Sequence, residues 1–177
     1  MEEIKAQGRF TTKTIVQTAL LVALVFLSTS FINIRLPFLS NGGLVHLGTA
    51  MLYIVAIVFG KKKGAIAGSF GMAIFDLVSG WALWAPFTFV IRAIMGYMVG
   101  VIAWSGNKEG NNIITNIVAM ILSGVWMIIG YYITEVILYG NWVAPITSIP
   151  GDITQVIVGL ILALPTAKIL KKYTKYI

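Results

Sequence analysis

The stretch PFTFVIRAIMGYMVG, residues 86–100, places an arginine, Arg92, inside an otherwise apolar run. A charge near the centre of a bilayer costs about 2.5–3.5 kcal/mol on insertion scales, so such a residue needs a partner or a purpose. Candidates are few, because the chain has only six acids and one histidine. Asp76 and Glu135, near the ends of two other apolar runs, could neutralise it. His46, Asp152 and Gln155 stand at similar positions, and Asn41 adds an amide in the connection after the first run. Trp84, Trp126 and Tyr131 supply rings able to stack on a planar ligand. Together these groups suit directed hydrogen bonding to a small polar ring. Each also has a plainer reading. Arg92 could form an ion pair that orders a helix bundle, and His46 could be satisfied between helices. Asp152, after Pro150-Gly151, could serve as an N-cap or first-turn residue on a helix dipole. Glu135 could be solvated at an interface, and the rings could pack in the core or at the membrane surface.

Covalent chemistry has no foothold here. The chain contains no Walker A loop, H-E-x-x-H or G-x-S-x-G motif. The serine in GSFG, 68–71, has only His46 as a possible base. Cysteine is absent, which removes disulfides, thiolate nucleophiles and Cys-ligated metals. No catalytic residue, metal or cofactor is expected. No series of acids crosses the chain as in a proton-driven pump, and no inverted repeat of the kind common in secondary transporters is visible.

The elements that must position these residues follow from composition. Of 177 residues, 58% are hydrophobic and 11% charged, against about 25% charged in an ordinary soluble domain. Mean hydropathy is +0.90. Six apolar segments separate, at roughly 14–32, 43–60, 64–79, 86–104, 112–135 and 151–170. Most approach the ~20 residues a helix needs to cross the ~30 Å hydrocarbon core. The expectation is an all-α, polytopic membrane protein of six transmembrane helices in one integral-membrane domain, residues 1–177. Basic residues orient it. Lys5, Arg9 and Lys13 precede the first segment, and Lys61–Lys63 form the GKKKG turn after the second. Lys108 follows the fourth, and Lys168, Lys171, Lys172 and Lys175 close the chain. Only Arg35 and Arg92 depart from that pattern, so both termini are expected in the cytoplasm. The N-terminus reads as a cytoplasmic tail and first span, not a cleaved signal peptide. The net charge of +7 is a topology signal and does not call for a nucleic-acid partner.

With that orientation, Arg92, His46 and three acids fall in the outer leaflet, as a polar pocket open to the outside requires. Small residues carry a second signal. Gly64, Gly68 and Gly71, with Gly96 and Gly100, have the spacing of close helix packing inside the bundle, whereas Ala19 and Ala23 are less obviously internal. With no energy-coupling feature, the chain reads as a capture subunit that works with a partner.

The sequence resembles the substrate-binding S components of energy-coupling factor (ECF) vitamin transporters. ALLVA, with Ala19 and Ala23, is similar to the Ala-x-x-x-Ala motif by which those subunits dock on the transmembrane coupling protein. VFGKKKGAIAG, FDLVSG and WAPFTFVIRAIMGYMVG resemble the central block of the group that includes riboflavin, pyridoxine and hydroxymethylpyrimidine carriers. The resemblance implies a vitamin-capture subunit of an ABC importer, in the cell membrane of a prokaryote, partnered by the coupling protein and two cytoplasmic ATPases. It implies a ligand site near the outer face framed by Arg92, Trp84, Tyr131, Glu135, Asp152 and Gln155, completed by His46 and Asp76, with residues 33–41, including Asn41, as a lid. The excess of acids, hydroxyls and amides over bases in the outer half favours pyridoxine or hydroxymethylpyrimidine, with riboflavin or another vitamin as the alternative. A membrane-embedded enzyme and a ligand-free scaffold protein are the rival classes.

Overall fold

The computed structural model describes residues 11–31, 33–35 and 44–174. In chain order it runs α1 (Thr12–Phe31), a short hairpin of β1 (Asn33–Arg35) and β2 (Leu44–His46), α2 (Gly48–Phe59), α3 (Lys61–Val78), α4 (Ala85–Ala103), α5 (Ile113–Tyr139) and α6 (Ile149–Thr174). Single 3-10 turns occupy Ser105–Asn107 and Ala144–Ser148. Among the described residues, four segments are long and apolar enough to cross a membrane: Thr12–Phe31, Ala85–Ala103, Ile113–Tyr139 and Ala144–Tyr173. The helix α2 is shorter, and α3 begins with three lysines that lower its hydropathy.

Helix ends differ from the expected segments by up to four residues, and two boundaries differ in kind. The segment 43–60 does not start as a helix; Leu44–His46 is a strand, antiparallel to β1 with Asn33 opposite His46 and Arg35 opposite Leu44. A three-residue apolar stretch has too little periodicity to separate strand from helix extension. The all-α expectation therefore misses a hairpin, and His46 lies above α2, not inside it. The expected GKKKG turn shrinks to Gly60, at φ +85° and ψ 177°, with Lys61–Lys63 forming the first turn of α3. That backbone conformation is open to glycine and costly for other residues, so one glycine reverses the chain. The Asn41 expectation lies outside the described residues.

Local signals explain the remaining ends. Asn112 caps α5 by accepting the Thr115 N–H at 3.0 Å, satisfying one orphan donor of the first turn. Pro86 sits in the first turn of α4, where its missing N–H costs nothing. Gly140, at φ +64°, terminates α5.

The core forms around α2, in which ten of twelve residues are buried. A helix apolar on every side belongs inside a bundle. Met72, Met95, Met120 and Met127 pack around it, and the buried Tyr53 hydroxyl donates to the Met120 carbonyl at 3.0 Å. The α3–α4 crossing is made by glycines: a Cβ on Gly96 would collide with the Gly64 backbone. The expected internal packing of the glycine faces is thus present, while Ala19 and Ala23 are exposed on α1. Large apolar side chains cover the outside, among them Leu20, Leu77, Val90, Ile121, Ile137 and Ile161. Water-soluble monomers rarely expose contiguous apolar surface on this scale, whereas a lipid-facing bundle must.

Candidate ligand-binding site

Arg92 lies two turns into α4 and is only 3% exposed. Among the described residues, its hydrogen-bond partners are all uncharged. The Nε–H donates to the Tyr131 hydroxyl at 3.1 Å, and Nη1 donates to Thr49 Oγ1 at 3.0 Å. Nη1 also approaches the sulfurs of Met127, at 3.0 Å, and Met95, at 3.4 Å. The guanidinium is 5.2 Å from the Tyr131 ring centroid, close enough for cation–π attraction. Among the described residues, a direct ion pair with Asp76 or Glu135, the plainer reading of the sequence, is not what holds it. Helix geometry gives the reason: Thr88 and Met95 lie four residues before and three after Arg92 on its own face, while Thr49 and Tyr131 face it from α2 and α5. Neutral acceptors take the Nε and Nη1 donors of the guanidinium.

The network continues in both directions. The Tyr131 hydroxyl donates to Thr88 Oγ1 at 3.3 Å. On the other side, Thr49 Oγ1 accepts from Gln155 Nε2 at 2.7 Å. Gln155, 3% exposed on α6, then clamps the hairpin: its Oε1 accepts the His46 N–H at 2.8 Å, and its Nε2 donates to the His46 carbonyl at 3.0 Å. The His46 Nδ1 accepts the Gly48 N–H at 3.2 Å, which leaves the ring proton on Nε2 when the imidazole is neutral. A hydrogen-bonded chain therefore runs from His46 on β2, through α6, α2 and α4, to α5 and back to Thr88.

The acids ring this chain. Asp76 and Asp152 both lie in the field of Arg92, and Glu135 adds a repulsive influence on Asp152. Among the described residues, the buried Asp76 Oδ2 has no hydrogen-bond partner, although the Thr88 hydroxyl lies near the carboxyl. The buried Glu135 accepts from Ser148 Oγ at 2.9 Å, so it is not merely solvated at an interface. Asp152 sits in the first turn of α6, as its place after Pro150-Gly151 implied. The half-buried Trp84 has its ring centroid 6.3 Å from that of Tyr131, forming an aromatic wall beside Arg92. Trp126 is tied into the bundle by its Nε1–H on the Ile91 carbonyl, at 3.1 Å.

The structure therefore brings Arg92, Tyr131, Gln155 and His46 into one network, with Asp76, Asp152 and Trp84 beside it. Glu135 is held by Ser148, near Asp152. Reading the sequence for charged and aromatic residues alone missed Thr49, Thr88, Met95, Met127 and Ser148. The three- and four-residue spacing on α4 and α5 could have supplied Thr88, Met95 and Met127.

Comparison with known proteins agrees with this architecture. The family model of the ECF-type riboflavin transporter S component matches residues 9–172. A protein from Pyrococcus woesei, described as an uncharacterized protein in gap 3'region, is 33% identical over 139 residues, covering 78% of this chain and 90% of the relative. The thiamine precursor transporter HmpT of Lactococcus lactis subsp. cremoris (strain MG1363) is 29% identical over 145 residues, covering 82% and 80%. A solved structure described as the S component of a bacterial ECF transporter superposes with a TM-score of 0.69 at 20% identity, covering 92% of this chain and 98% of that one. Its likeness is one of fold. With nearly the whole chain inside the family model, this membrane protein belongs to the ECF-type riboflavin transporter S component family.

Proposed function

We propose that this chain captures a small heteroaromatic vitamin or vitamin precursor at the hairpin end of the bundle, with hydroxymethylpyrimidine or pyridoxine as substrate. The observation that carries the reading is the His46–Gln155–Thr49–Arg92–Tyr131–Thr88 chain. It fixes donors and acceptors within the bundle, near the Trp84–Tyr131 wall and the Asp76 Oδ2 that has no partner among the described residues. A buried acceptor without a partner costs free energy until a donor reaches it, and a ring amine or hydroxyl is such a donor. The likeness to a thiamine precursor transporter supports the pyrimidine class. Riboflavin is the second reading, supported by the description of the matching family.

In this proposal six helices cross the membrane with both termini in the cytoplasm of a prokaryote, the orientation favoured by lysines at one end. The subunit delivers its ligand through the ECF coupling protein and two ATPases. The exposure of Ala19 and Ala23 on α1 supports a docking role, because the bundle itself does not use them. Binding and release, not turnover, is the activity.

Titration of tryptophan fluorescence with hydroxymethylpyrimidine, pyridoxine, riboflavin and pantothenate tests the proposal, with inner-filter correction and a parallel series on Arg92→Ala. Saturable quenching by hydroxymethylpyrimidine or pyridoxine, lost in a variant that still melts cooperatively, is the expected result. Silence across the panel, or unchanged binding by the variant, would leave the polar network a structural device and favour the scaffold class.

A further inference from the structure

The opposite end of the bundle holds a cavity of about 480 Å³, lined in part by Lys13, Gln17, Lys63, Trp104, Glu109 and Lys171. Four stretches far apart in sequence converge there: the start of α1, the start of α3, the α4–α5 connection and the end of α6. Among the described residues that line it, three ammonium groups face a single carboxylate. The Lys63 Nζ donates to Gln17 Oε1 at 2.6 Å, a neutral partner, and lies close enough to Lys13 to feel its charge. Lys171 interacts with Glu109, and its Nζ lies 4.4 Å from the Trp104 ring centroid. The Trp104 ring is itself fixed, its Nε1–H donating to the Ile57 carbonyl at 3.0 Å. The cavity thus combines a fixed aromatic wall with a rim on which, among the described residues, positive charges exceed negative ones by two.

A topology signal alone needs lysines at this end, but not gathered round a cavity. The first turn of α3 adds to the imbalance. Lys61, Lys62 and Lys63 occupy it with no acid and no side-chain cap, although the positive end of a helix dipole favours anions and repels cations. We propose that this cavity binds a phosphate group of net negative charge, supplied by the headgroup of an anionic phospholipid, with Trp104 against the glycerol region. Basic pockets between membrane helices are suited to such headgroups. A free phosphate compound offers the same chemistry, and the test separates the two.

Native mass spectrometry of the delipidated full chain, offered micellar phosphatidylglycerol or phosphatidylcholine, measures the preference. Phosphatidylglycerol adducts are expected to exceed phosphatidylcholine adducts by about tenfold. The triple variant Lys13→Gln, Lys63→Gln, Lys171→Gln should lose the preference, and the corresponding Lys→Arg triple should keep it. The control triple Lys108→Gln, Lys168→Gln, Lys172→Gln removes the same charge from the same end outside the cavity, and should also keep it. Equal losses in the two glutamine triples would overturn the proposal, as would failure of the arginine triple. Competition by millimolar inorganic phosphate at fixed ionic strength would assign the site to a soluble phosphate compound; resistance would assign it to lipid.

Discussion

Gln155 is the side chain through which α6 holds the hairpin, and Gln155→Leu is the perturbation that tests this most directly. The substitution nearly conserves volume but deletes one acceptor and two donors. The His46 N–H loses the Oε1 that it meets at 2.8 Å, and the His46 carbonyl and Thr49 Oγ1 lose Nε2. Thr49 Oγ1 keeps Arg92 as a donor, at 3.0 Å, so its loss is partial. The unpaired His46 amide then dominates, at about 1–3 kcal/mol for a buried group left without a partner. If the native hairpin is required for capture, that cost appears as roughly a fivefold to 150-fold loss of ligand affinity. Amide hydrogen exchange of Val45 and His46 should accelerate by a similar factor, while exchange in the centre of α2 should not change. Tryptophan fluorescence titration and exchange mass spectrometry on one preparation measure both effects. Unchanged affinity with accelerated hairpin exchange would show that the clamp does not serve binding. Unchanged exchange would refute the clamp itself.

Arg92→Lys should fail to restore binding although it keeps the charge, because one ammonium cannot reproduce both the Nε contact with Tyr131 and the Nη1 contact with Thr49; titration beside wild type checks this. Gly96→Val should destabilise the bundle by about 1–3 kcal/mol or more, since its side chain meets the Gly64 backbone, read as a lower unfolding temperature in detergent. Ala19→Leu with Ala23→Leu should leave ligand affinity unchanged, because both positions are exposed. It should abolish co-purification with the coupling protein, and retained co-purification would remove the docking role.

The parts of the fold that were legible in the sequence are those set by bulk physics. Long apolar runs mark helices, and the lysine clusters at Lys61–Lys63 and Lys168–Lys172 mark one end of the bundle. Boundaries were less legible where one residue decides them. Gly60 makes the whole α2–α3 reversal with its backbone, so the lysines that look like a loop are helical. In Leu44–His46, pairing with β1 outweighs helix extension, and that pairing is a tertiary fact. At the candidate site, charge drew attention to Arg92, but the groups that hold it are not the charged ones. Opposite charge suggested Asp76 and Glu135, whereas Thr49, Tyr131 and two methionine sulfurs stand closest. Such neutral acceptors are common residues, and only their placement in space distinguishes them.

The brevity of α2 sets the relief of the hairpin end. Its twelve residues rise about 18 Å, well short of the ~30 Å hydrocarbon slab that its neighbours approach or exceed. The missing height of about 12 Å belongs to no helix; β2 precedes α2 there, with His46 held over its first residues by Gln155. The hairpin thus stands in for about two helical turns, and at that level one amide side chain does the tying that a helix would do with its own backbone. Two or three more turns on α2 would displace the hairpin.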